Sequence, residues 1–270
     1  MISPHLTSNI KARLKPALFA ALTHFSISVL VVAALYYLIY QVWYPQPFDD
    51  TLDVGQLFWL IAITDVCVAP LLTLVIFDKR KRHLAWELAF IGCLQIVALG
   101  YGLYNVAYAR PVYMVFTKDR FDLVRGHELY AVDKDSPKLA LKPQHPWASP
   151  WLGATTVAAD LPDVNSELRS MLAILGMSGE IDVPNIIDQH RPYASALTRM
   201  RATGLPLASM QNKANYAKLS PTAKAAIAKL QTSYPADAIV FPVKVKFTIL
   251  TAVVNAQTSA VLGVEPVDVF

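Results

Sequence analysis

The chain has 270 residues, of which 54% are hydrophobic and 16% are charged, and its formal net charge is +4. That charge is small and lies mostly beside apolar stretches, which argues against a nucleic-acid-binding protein. Only two cysteines occur, so a fold held together by a disulfide framework is excluded.

Three long apolar stretches fill the first 110 residues and predict three transmembrane helices, at about 18–42, 57–77 and 84–107. Each reaches the ~20 residues that a helix needs to cross ~30 Å of hydrocarbon. The first is too long for the apolar part of a cleaved secretory signal, roughly 7–15 residues, so we expect a retained anchor. It ends in aromatic residues, Trp43 and Tyr44 among them, that suit a membrane–water interface.

The charges on the loops predict the orientation of these helices. The loop 43–56 carries three aspartates and no Lys or Arg, whereas basic residues flank the other ends: Lys11, Arg13, Lys15, Lys79, Arg80, Lys81 and Arg82. Because basic flanks stay in the cytoplasm, we predict a cytoplasmic N-terminus. The prediction is a three-span domain over residues 1–110 followed by an exported α+β domain over residues 111–270.

The exported part alternates between strand-like and helix-like patterns. Val112–Thr117 and Arg120–Val124 predict a hairpin that leaves the membrane, because both are rich in β-branched and aromatic residues. Ser220 and Pro221 predict the start of a helix. Further helices are expected at 164–175 and 192–203, and C-terminal strands at 239–247, 248–254 and 260–264. We expect these last strands to join the hairpin in one sheet.

Asp65 is the most unusual residue of the predicted spans, since a carboxylate at the bilayer centre costs at least ~2.5 kcal/mol. Gln95 lies at a similar depth in the third span, and His24 lies somewhat nearer the cytoplasm. We expect the three to form one polar cluster that fixes helix packing, contacts a partner or relays protons. Pro70 is expected to kink the second span, with Thr73 binding the freed backbone groups.

No pattern in the sequence indicates catalysis or metal binding. His127, His145 and His190 are scattered, and no reactive-cysteine or phosphate-loop motif occurs. Cys67 and Cys93 both lie within predicted spans, where they are expected to be small apolar filler. We therefore predict no catalytic residue, no metal ligand and no cofactor.

Several segments resemble the type IV pilin accessory family, the TfpX/TfpZ kind. They are Trp43-Tyr44-Pro45, Asp65 with Pro70-Leu71-Leu72-Thr73-Leu74, Tyr101-Gly102-Leu103-Tyr104 and the membrane-exit motif around Arg110, Pro111 and Tyr113. The resemblance covers about residues 25–124. Ala69 stands where the family would have glycine, a departure that bears on helix packing.

The resemblance implies an accessory protein of type IV pilus assembly in the inner membrane of Gram-negative bacteria. Its expected partners are the pilin, other pilus assembly components and membrane lipid, and it implies no enzymatic activity. Two other classes remain open from the residues themselves. One is a membrane-anchored periplasmic scaffold or sensor of another envelope machine, and the other is a membrane enzyme acting on pilin.

Overall fold

The computed structural model describes residues 4–52, 54–133, 141–144, 154–159, 183–212, 216–245 and 248–270. The chain forms two compact units. The helical unit consists of Met1–Val42 and Leu52–Ala107, and the sheet unit consists of Trp43–Thr51 and Tyr108–Phe270. The expected helix at 164–175 lies outside the described residues.

Three long apolar helical segments near the N-terminus confirm the predicted helices. The segments that are long and apolar enough to cross a membrane are Arg13–Trp43, Val54–Ile76 and Leu84–Ala109. They are built from α1 (Pro4–Tyr37) with a π-helical end (Leu38–Trp43), α3 (Val54–Ile63), α4 (Ala69–Ile76) and α5 (Leu84–Ala109). The short helix α2 (Phe48–Thr51) lies in the loop after the first segment.

A π-helical stretch, Thr64–Val68, separates α3 from α4 and comes directly before Pro70. Proline has no N–H and cannot bond the carbonyl four residues back. The chain instead widens by one residue, and the N–H of Ala69 donates to the carbonyl of Thr64. Thr73 does bond to the backbone beside Pro70, since its hydroxyl donates to the Ala69 carbonyl at 3.1 Å. A bend at Pro70 stays a prediction.

The sheet unit is built on a mixed sheet. Among the described residues the sheet has eight strands: β1 (Pro111–Phe116), β2 (Phe121–Arg125), β5 (Thr155–Ala159), β6 (His190–Arg191), β7 (Leu205–Pro206), β8 (Ala238–Val245), β9 (Thr248–Asn255) and β10 (Val261–Glu265). Their order is β10-β9-β8-β2-β1-β5-β6, with β7 beside β8. Two further strands, β3 (Tyr130–Val132) and β4 (Leu141–Pro143), pair with each other.

The pairing of the sheet confirms the predicted hairpin and its union with the C-terminal strands. Strands β1 and β2 are antiparallel neighbours, and β8 pairs with β2 in parallel. Strands β8, β9 and β10 form an antiparallel meander. Strands from the two ends of the unit's sequence are therefore joined in one sheet, where β8 lies beside β2.

Two helices of the sheet unit agree with the start and stop signals in the sequence. Helix α6 (Leu197–Thr203) ends before Gly204, and helix α7 (Pro221–Ser233) begins after Ser220. The Ser220 hydroxyl accepts a hydrogen bond from the N–H of Ala223 at 3.1 Å, as an N-cap does. After α6 the chain continues directly into strand β7, Leu205–Pro206, which lies beside β8.

Two apolar clusters give the sheet unit its core. One gathers residues of β1, β2 and β5 with a neighbouring segment: Val115, Val124, Leu129, Ala159, Val183 and Ile186. The other joins α7 to β8 and β9: Leu207, Met210, Ile227, Leu230, Ala238, Val240, Val253 and Val269. Both clusters are almost fully buried, so the unit has a core of its own.

Candidate functional site

Asp65 lies in the π-helical stretch of the second apolar segment and is only 6% exposed. Its carboxylate forms a side-chain hydrogen bond with Gln95 and interacts electrostatically with His24. The structure therefore brings together His24, Asp65 and Gln95. The sequence predicted this contact from the similar depths of the three residues in the apolar stretches. They come from α1, from the π-helical stretch and from α5.

A fourth polar residue, Thr73 of α4, extends this cluster. The Nδ1 atom of His24 lies 2.7 Å from the Thr73 hydroxyl oxygen. The Thr73 hydroxyl has a single hydrogen and donates it to the Ala69 carbonyl. In the His24–Thr73 bond the Nδ1–H of His24 is therefore the donor and the Thr73 oxygen is the acceptor. We call His24, Asp65, Thr73 and Gln95 the polar cluster.

The polar cluster links the three apolar segments of the helical unit through side-chain contacts. Sequence reasoning assigned Thr73 to the backbone around Pro70 and missed its contact with His24. The feature of the sequence that could have indicated this contact is that Thr73 carries the one hydroxyl in the otherwise apolar α4. A closed set of polar contacts suits helix packing, because polar groups buried between apolar helices have no water to bond to. Whether the cluster also contacts another protein stays a prediction.

Arg110 of the membrane-exit motif is fully buried in the sheet unit. Its guanidinium carbon lies 5.4 Å from the centre of the Trp43 ring, a cation–π distance. Its carbonyl accepts a hydrogen bond from the N–H of Gly126 at 2.9 Å. Arg110 thereby joins the loop after the first apolar segment to the beginning of the sheet.

Trp43 and Tyr44 differ from the sequence expectation. They were expected at a membrane–water interface, but each is only 1% exposed. Burial raises the pKa of the Tyr44 hydroxyl, and the nearby Arg125 and Arg110 oppose that rise. Burial also lowers the pKa of Arg110, which Tyr44 opposes. The aromatic pair is internal because it covers a buried guanidinium, which needs such partners away from water.

The other two residues of the exit motif begin the sheet. Pro111 is the first residue of β1, directly after α5. Tyr113 is half-buried, and its ring meets the His190 ring edge-on, with 4.7 Å between the ring centres. Burial raises the pKa of the Tyr113 hydroxyl. These contacts are structural, and no three His, Cys, Asp or Glu residues gather as a metal site within the described ranges.

Comparison with known proteins finds relatives that are fimbrial assembly proteins. Over 208 residues, 76% of this chain, the sequence is 32% identical to a fimbrial assembly protein of serogroup E1 from Dichelobacter nodosus, and the match covers 78% of that protein. The chain belongs to the fimbrial assembly protein family. The model of the family "Fimbrial assembly protein FimB" matches residues 12–52.

Two further relatives from Dichelobacter nodosus match over shorter stretches. The protein of serogroup I is 41% identical over 99 residues, which is 36% of this chain and 38% of that protein. The protein of serogroups C1 and C2 is 41% identical over 98 residues and is matched over 75% of its length. No solved structure matches.

Proposed function

We propose that this protein is an inner-membrane accessory protein of type IV pilus assembly that modulates or chaperones pilin. Residues 1–110 span the membrane three times with the N-terminus in the cytoplasm, and residues 111–270 lie in the periplasm. The observation that carries the proposal is the 32% identity to a fimbrial assembly protein over most of both chains. The fold is compatible with it, because one unit suits lipid and the other suits water.

The surface of the helical unit supports a contact within the membrane. Helix α5 exposes large apolar side chains, with Trp86, Phe90 and Ile96 each more than 70% exposed. In lipid such a surface can pack against an apolar helix of another protein by van der Waals contact. The polar cluster is directed to the unit's own helices, so we assign the pilin contact to this apolar face and not to Asp65.

The sheet unit offers a second contact surface, at the edge strand β10. This strand pairs with β9 on one side, and on the other side no strand of the described residues pairs with it. Its Leu262 side chain is 41% exposed. An edge strand presents backbone N–H and C=O groups that an extended segment of another protein can bind. We assign the contact with the pilin head to this edge.

Site-specific photo-crosslinking in native membranes tests both contacts. A photoreactive residue at Phe90 or at Leu262 of the full-length protein is expected to capture pilin. The matched control is Ile91, the next residue of α5, which is only 7% exposed and is expected to capture nothing. Capture of other envelope proteins, with no pilin at any exposed position, would favour the scaffold or enzyme alternatives.

A further inference from the structure

We propose that a groove in the helical unit binds an anionic phospholipid, with acyl chain in the groove and phosphate between Lys15 and Lys79. The groove has a volume of about 720 Å³ and is lined by residues of α1, of α4 and the turn that follows it, and of α5. Phe19, Ile27 and Leu88 are among its apolar wall residues.

The groove is elongated and its lining is mostly apolar. Its lining on α1 runs from Lys15 to Ile27, or roughly 18 Å at 1.5 Å per residue. That length and that lining suit an extended hydrocarbon chain, which needs no hydrogen-bond partner.

The polar side chains in the wall already have partners within the protein. His24 bonds to Thr73, and Gln95 bonds to Asp65. The Thr23 hydroxyl donates to the Phe19 carbonyl at 2.9 Å. A ligand in the groove therefore meets mostly apolar atoms and few free polar groups, which suits an acyl chain.

The two charged residues that line the groove are both lysines. Lys15 and Lys79 are exposed, and neither has an ion pair with any described residue. Neighbouring Arg13 is already engaged, because it donates to the carbonyls of Phe77 and Val75. Basic pockets between transmembrane helices are the usual sites for acidic lipid headgroups. Phosphatidylglycerol has the net negative charge that complements two ammonium groups, whereas phosphatidylcholine has none.

Native mass spectrometry of the full-length protein in detergent, with either lipid added, tests the headgroup site. Wild-type protein is expected to bind phosphatidylglycerol more tightly than phosphatidylcholine. Lys15→Gln with Lys79→Gln is expected to reduce that preference by about 30-fold, since each lysine contributes about 1 kcal/mol. The control is Arg80→Gln with Arg82→Gln, which removes two charges outside the groove lining and should keep the preference. Equal binding of both lipids by wild-type protein would overturn the proposal.

Two glycine substitutions on α5, one in the groove and one outside it, test the acyl-chain part of the site. Gly92 lines the groove, and a Cβ added there meets no atom within 4 Å. Gly92→Leu therefore places a side chain in the groove without a clash and is expected to weaken binding of both lipids. Gly100→Leu, on the same helix and equally free of clashes, is expected to bind like wild type. Unchanged lipid binding by Gly92→Leu, or loss of pilin crosslinking with lipid binding intact, would overturn the lipid assignment.

Discussion

The helical unit and the sheet unit differ in which side chains they expose. In the helical unit Phe19, Trp86 and Ile96 are each more than 70% exposed, while the carboxylate of Asp65 is buried. In the sheet unit the apolar side chains of Val115, Phe116 and their neighbours are fully buried. The first pattern is expected of a protein whose solvent is lipid, and the second of one whose solvent is water.

Each unit also buries one ionisable side chain, and the partners differ accordingly. Asp65 has two polar side-chain partners from other helices, Gln95 and His24, as is expected where the backbone groups of lipid-spanning helices bond within each helix. Arg110 is held by an aromatic face and by nearby Tyr44, within a unit that has its own apolar core. The contrast teaches that polar contacts join the helices, whereas apolar packing dominates the sheet.

The largest expected effect concerns the side of the membrane on which each part of the chain lies. A reporter that is active only in the periplasm should be active when fused after Phe270. The same reporter inserted within the basic turn 78–83 should be silent, because basic loops stay in the cytoplasm. The measurement is reporter activity at equal protein level. The reverse pattern would contradict the proposed orientation and the assignment of the sheet unit to the periplasm.

Replacing the buried guanidinium should destabilise the sheet unit. Arg110→Met keeps most of the side-chain volume but loses the contact with Trp43, so the expected loss is about 2–4 kcal/mol. The measurement is thermal or denaturant unfolding of the full-length protein in detergent. Arg201→Met is the control, because this exposed arginine donates to the Gln257 carbonyl at the surface and should change stability by under ~1 kcal/mol. Equal losses in both variants would mean that Arg110 contributes no more than a surface arginine.

Replacing the buried carboxylate should loosen the helical unit. Asp65→Leu leaves Gln95 without its side-chain partner, at a cost of about 1–3 kcal/mol. Asp65→Asn keeps a hydrogen-bonding group and should be tolerated better. The measurements are protein level and piliation in cells.

Two comparisons make the Asp65 test specific. Thr64→Leu alters an exposed neighbour in the same π-helical stretch, where the hydroxyl only bonds to the Leu60 carbonyl, and it should have little effect. If Asp65→Asn lowers piliation as much as Asp65→Leu at equal protein level, packing alone does not explain Asp65. The charge or proton would then be needed.

The three long apolar helices were predicted well because the sequence pattern expected of lipid-spanning helices is simple. Length and apolar composition determine the spans, and a buried carboxylate at mid-depth requires polar neighbours at the same depth. The π-helical stretch before Pro70 was not predicted, since proline indicates a disturbed helix but not how the chain adjusts. The contact between His24 and Thr73 depends on helix rotation, which depth alone does not determine.

The sheet unit was predicted in its longest elements and missed in its shortest. The hairpin and the C-terminal meander have clear β-branched patterns. By contrast, β6 and β7 have two residues each and are strands only because a longer neighbour pairs with them. The burial of Trp43 was also missed, because an aromatic residue after a span suits both an interface and a contact with a distant arginine.

The smallest expected effect is a pH dependence of the sheet unit through His190. The Nε2–H of His190 donates to the Pro184 carbonyl at 2.8 Å, while the buried Nδ1 has no hydrogen-bond partner among the described residues. Burial lowers the pKa of His190 below its usual 6.5, and the Pro184 bond and Asp188 oppose that shift. The folded protein therefore favours the neutral ring. Its stabilising contribution is complete above about pH 6.5 and is lost as the pH falls through the lower, folded pKa.

Unfolding of the full-length protein between pH 8 and pH 5 measures this dependence. The slope from one proton cannot exceed about 1.4 kcal/mol per pH unit. His190→Gln keeps a donor for the Pro184 carbonyl but does not titrate, so its stability should fall less steeply with acid than that of wild type. If stability falls equally steeply with acid in wild type and in His190→Gln, a group other than His190 causes the acid sensitivity.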